Sequence, residues 1–117
     1  MSVNLETYQQ FQELLELFAA DLCESELDIP GLRQRLTELQ QYFVTEIASL
    51  VDVNSRQQSY HTEISKQLRL LELDVMFLQG AKKLDSIQKR STNVKERINT
   101  LTRYCQAIIY PEHESDQ

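Results

Sequence analysis

Apolar residues at intervals of three and four run through nearly the whole chain, a period that α-helices bury on one side. Four segments carry it. In the first, Tyr8, Phe11, Leu15, Phe18 and Leu22 share a stripe, with Asn4 placed to cap its start. The second opens at Pro30, which suits a first helical turn because its missing N–H has no partner there anyway. Its stripe is Leu32, Leu36, Leu39, Phe43, Ile47 and Leu50. Tyr60, Ile64, Leu68, Leu71, Val75 and Leu78 mark the third, with Gly80 placed to close it as the C′ residue. Ile87, Val94, Ile98, Leu101, Cys105 and Ile108 mark the fourth, which Pro111 stops. Helices are therefore expected near 4–23, 30–52, 55–80 and 85–110.

Four helices of this length with short joints fit an antiparallel up-down four-helix bundle, an all-α fold. Residues 1–110 then form one helical domain, and 111–117, acidic and polar, form a disordered tail. Two joints are ambiguous. Asp52 to Ser55 offers capping residues but no Gly or Pro, so a continuous helix from Pro30 to Gly80 competes with a break. Such a helix would be about 75 Å long and would force an extended or swapped dimer. At the other joint, Ser86 and Ser91 are alternative caps for the fourth helix.

The third segment carries more apolar surface than one stripe requires. Leu70, Leu73 and Phe77 form a second strip, and Leu73 points almost directly away from the first. A helix that is apolar on two sides is buried on both or has a partner for the second. A broad bundle-facing surface would absorb Leu70 and Met76, but not Leu73. Leu70, Leu73 and Phe77 are therefore the candidate protein interface, and a homodimer is one way to cover them.

Charge is unevenly distributed within a net of -6. Residues 1–28 hold seven acids and no base, whereas 55–110 hold ten bases and five acids. The simplest arrangement sets the acidic first helix beside the basic fourth. Lys89, Arg90, Lys95, Arg97 and Arg103 are the nucleic-acid candidates, but they spread around their helix and no Phe or Trp interleaves them. Nucleic acid is disfavoured as a partner. No run approaches the roughly 20 apolar residues a bilayer span needs, and no secretory or transit segment opens the chain, so a cytoplasmic protein is expected.

Recognised catalytic patterns are missing. Two glycines cannot build the familiar phosphate loops. There is no Glu-x-x-His for a di-iron bundle, and His61 and His113 with scattered Cys23 and Cys105 make no zinc pattern. His61 is expected on the surface near a helix start, and Cys105 as a small buried hydrophobe. Opposite ends of a bundle would hold the two cysteines on the order of 25 Å apart, too far for a ~6 Å disulfide span. Catalytic, metal and cofactor sites are thus not expected.

The segment SYHTEISKQLRLLELDVMFLQ, Ser59 to Gln79, with LTRYCQAII from Leu101 and the weaker QQYFVTEIASL from Gln40, resembles the PatD family of cyanobacterial heterocyst frequency control proteins. These are helix-core motifs without a catalytic signature. The resemblance implies a small cytoplasmic regulator that acts on the tubulin-like division protein FtsZ and favours its assembly, located at the septum through that contact. It carries over no contact residues. A homodimeric helical assembly chaperone or adaptor is the alternative expectation.

Overall fold

The computed structural model describes residues 4–111 as four helices: α1 (Leu5–Leu22), α2 (Ile29–Tyr42), α3 (Ser55–Gly80) and α4 (Leu84–Ile109). A wider turn, Phe43–Ile47, extends α2. Among the described residues there is no strand, so the chain is an all-α bundle. Each helix packs on two neighbours, α1 on α2 and α4, α3 on α4 and α2, which closes the ring expected of up-down topology. Acidic α1 therefore does lie against basic α4. Ion pairs brace other seams: Arg35 Nε to Asp21 at 2.8 Å joins α2 to α1, and Arg97 Nε to Asp74 at 2.9 Å joins α4 to α3.

The predicted stripes form the core. Phe11, Leu15, Phe18, Leu39, Ile47, Ile64, Leu71, Val94 and Leu101 are among its fully buried members. Leu50, Tyr60 and Ile87 are exceptions, only partly buried against the core; Tyr60 sits tilted against Tyr104 with ring centroids 5.7 Å apart. The tail expectation for 111–117 falls outside the described residues from 112 onward, as does His113.

Helix ends show where local chemistry decided the boundaries. The joint before α3 is a true break. Asn54 accepts from the Gln57 N–H at 2.8 Å, and the Gln57 side chain accepts from the Asn54 N–H at 3.1 Å, a reciprocal capping box. The continuous 30–80 helix is thereby excluded. Asp28 caps α2 by accepting from the Gly31 N–H at 3.2 Å, with Pro30 in the first turn.

Four expected helix ends need correction. The second helix does not run to 52. Its last turn bonds Ala48 N–H to Phe43 O at 2.8 Å, an i→i+5 closure, and the chain leaves the helix there. Phe43 and Ile47 are both buried through this π turn, four residues apart on the core side. Asn4 makes no cap bond through its side chain, which instead donates from Nδ2 to Asp52 O at 3.4 Å and ties the chain start to the α2–α3 joint. Gly80 is the last residue of α3 rather than a left-handed C′, and no glycine has positive φ. The fourth helix begins at Leu84 after Lys83, so neither Ser86 nor Ser91 caps it.

Candidate protein-interaction surface

Adjacent residues of α3 divide cleanly between inside and outside. Leu71 is fully buried, while Leu73 is 43% exposed and Phe77 51% exposed. Leu70 is half-buried and does not pack on the core cluster. The strip is therefore present on the outer face, two helical turns long. Met76, which a broad core face would have absorbed, is 58% exposed and widens the apolar surface instead.

The strip rests on a stiff support. The Arg90 guanidinium of α4 stands 4.8 Å from the Phe77 ring centroid, a cation–π contact worth roughly 0.5–1 kcal/mol at an exposed site. Arg97 reaches from α4 to α3 with both arms, Nε to Asp74 and Nη1 to Gln67 Oε1, each at 2.9 Å. Gln67 and Asp74 bracket Leu70 along the same helix, so the face carrying Leu70 and Leu73 is pinned to α4 from beneath. A surface held in place before binding loses less conformational freedom when a partner arrives.

Of the five basic residues of α4, Arg90 and Arg97 are thus engaged within the bundle. Arg103 donates to Thr100 Oγ1 at 3.3 Å on its own helix. Lys89 and Lys95 stand exposed on different sides of α4. No phosphate-tracking stripe is assembled from this set.

The expected surface position of His61 is wrong. Its ring is 4% exposed, with Nε2 2.8 Å from the Tyr8 hydroxyl and its edge 6.4 Å, centroid to centroid, from Phe43. Periodicity placed Tyr60 inward. The helix instead turns its neighbour in, where His61 is satisfied by a buried hydroxyl 53 residues away. Burial lowers the imidazole pKa and raises that of Tyr8 to about 12, with Cys105 adding to the rise by charge. Burial likewise lifts the Cys105 thiol to about 12; its Sγ donates to Tyr8 O at 3.1 Å. These three groups keep their neutral forms at neutral pH, which suits a satisfied polar core better than an acid–base pair.

Both cysteines are free, Cys23 exposed at the end of α1 and Cys105 buried. Among the described residues, no three His, Cys, Asp or Glu side chains gather as a metal would need, and no helix is long and apolar enough to cross a membrane.

Comparison with known proteins adds a family. A model described as the CRR41 C-terminal domain matches residues 9–105, which takes in all four helices. No curated protein and no solved structure matches the chain. The match covers most of the sequence and nearly all of the core, from Phe11 in α1 to Cys105 in α4, leaving out Tyr8 and Ile108. The chain belongs to the CRR41 C-terminal domain family.

Proposed function

We propose that this chain is a non-enzymatic regulator that binds another protein through the outer face of α3, and that this protein is FtsZ. The observation that carries the binding reading is the exposure of Leu73 and Phe77 on a helix whose opposite side is fully buried. FtsZ as the partner rests on the PatD resemblance of Ser59 to Gln79, not on geometry. On this reading the protein acts in the cytoplasm, reaches the septum through FtsZ, and influences division and heterocyst frequency.

The mechanism needs no chemistry. A ligand shifts an assembly equilibrium only through its preference between the free and assembled states. A tenfold preference for assembled FtsZ supplies about 1.4 kcal/mol per bound site. A rigid apolar strip flanked by Arg90 suits this role, because it buries fully only where a second surface is present.

Co-sedimentation with purified FtsZ under GTP tests the reading. The protein should pellet with polymer in a saturable way and lower the FtsZ concentration at which polymer appears. Pelleting that is absent, or equal with and without GTP, would remove FtsZ as the assembly partner. The strip also allows a homodimer, as an assembly chaperone or adaptor would use it. Sedimentation equilibrium reads that directly, as a dimer that Leu73→Asp dissociates.

A further inference from the structure

The seam between α2 and α3 is the least filled side of the bundle. These helices pack less closely on each other than either does on its other neighbour. Three recesses follow one another along it. One of about 440 Å³ lies between Phe43 and Ala48 on one side and Gln58 to Arg69 on the other. A second, of about 220 Å³, shares Phe43 and Arg69 with it and is walled by Val44. The third, of about 400 Å³, shares Gln40 and Glu72 with the second and reaches Met76 and Arg33. Shared walls make them one groove, which follows α3 from Gln58 to Gln79, about 30 Å at 1.5 Å per residue.

Two features define what fits. Val44, 64% exposed, and Met76 stand on opposite walls, so large apolar side chains line a solvent-open channel. The charged residues along it are Arg33, Lys66, Arg69 and Glu72, three cations to one carboxylate in a chain of net charge -6. Glu72 already accepts from Gln40 Nε2 at 3.4 Å. Lys66 pairs with Glu63 at 3.5 Å, but both side chains are well exposed and such a pair is weak. Helical walls offer no free backbone edge, so an extended peptide would leave its own N–H and C=O groups unmatched by the groove. A helix satisfies its own backbone and presents an apolar stripe. The Phe43–Ile47 π turn forms part of this wall, and π turns within α-helices recur at functional sites.

We propose that the α2–α3 groove binds an acidic amphipathic helix of a partner protein. Its apolar stripe lies on Val44 and Met76, and its carboxylates meet Lys66, Arg69 and Arg33. Met76 borders both surfaces, but Val44 lies across the seam from the strip of Leu70, Leu73 and Phe77, so Val44→Glu tests the groove and Leu73→Asp the strip proposed for FtsZ.

The probe is a fluorescent peptide of about 18 residues with Leu at helical spacing and Glu elsewhere, titrated by anisotropy into the full chain. Two controls accompany it: a scrambled peptide of the same composition, and one with Lys in place of Glu. The amphipathic acidic peptide should bind in a saturable way, and Val44→Glu and Arg69→Glu should each weaken it about tenfold or more. Lys95→Glu, the same charge change on exposed α4, should leave it within about twofold. Val44 and Arg69 are exposed, so circular dichroism of both variants should match the wild type. Equal binding of the scrambled or Lys peptide, or affinity unchanged by both groove variants, would overturn the proposal. A wild-type dimer dissociated by Val44→Glu would seat a second copy in the groove and overturn it too.

Discussion

Acid should destabilise this protein before its carboxylates titrate, because the buried His61 ring is held neutral. Burial lowers its pKa from the usual 6.5. In the unfolded chain the ring regains its ordinary value and takes up a proton that the folded ring refuses. The unfolded state then binds more protons, so this contribution is complete only well above pH 6.5 and declines as pH falls through 6.5 toward the folded pKa. One proton limits the slope to about 1.4 kcal/mol per pH unit. Protonation also makes both ring nitrogens donors, so the Tyr8 hydroxyl, 2.8 Å away, must accept and turn its own proton into the core. His61→Gln keeps a hydrogen-bonding side chain and removes the titration. Urea unfolding of both proteins at half-unit steps from pH 7.5 to 5.5 gives the comparison. The wild type should lose up to ~1.4 kcal/mol more than the variant between pH 7.5 and 5.5, most of it below pH 6.5. Parallel curves over that interval would refute the buried, neutral assignment.

Further outcomes follow from helix ends and thiols. Gly80→Ala should stabilise by about 0.5 kcal/mol, because a Cβ there meets nothing within 4 Å and Gly80 lies in helix. Gly31→Ala should instead cost about 1 kcal/mol, since its Cβ would fall 2.5 Å from Asp28 Oδ2 and displace the cap of α2; thermal melts separate the two signs. Asn54→Ala breaks the reciprocal cap of α3 and should lower stability by about 1 kcal/mol in urea titration. A thiol reagent should label Cys23 at once and Cys105 only on unfolding; two fast thiols in the native protein would contradict the packing at Tyr8.

The sequence was informative wherever one physical signal acted alone. Apolar spacing located Phe11, Leu39, Leu71 and Leu101 in the core because hydrophobic burial needs no specific partner. The break at Asn54 was readable because its cap is local, three residues long. What escaped were features set by distant partners. His61 looks like surface until Tyr8, 53 residues earlier, supplies a hydroxyl that makes its burial tolerable. Asn4 resembles an N-cap by position, yet Asp52 O draws its side chain away. The π turn after Tyr42 has no compositional mark. The groove of Val44, Arg69 and Met76 was invisible for the same reason, since its two walls come from helices whose spacing only the fold determines. The strip of Leu70, Leu73 and Phe77 was legible because it lies on a single helix.

The central claim is that the outer face of α3 binds, and Leu73→Asp tests it against its neighbour Leu71→Asp in FtsZ co-sedimentation. The two positions differ by two residues on one helix, one exposed and one fully buried. Leu71→Asp buries an unpaired charge and should unfold the domain. Leu73→Asp should keep the wild-type helix signal in circular dichroism while losing most of its pelleting with assembled FtsZ. Folded Leu73→Asp that pellets like the wild type, or loss of helix as severe as in Leu71→Asp, would contradict the account.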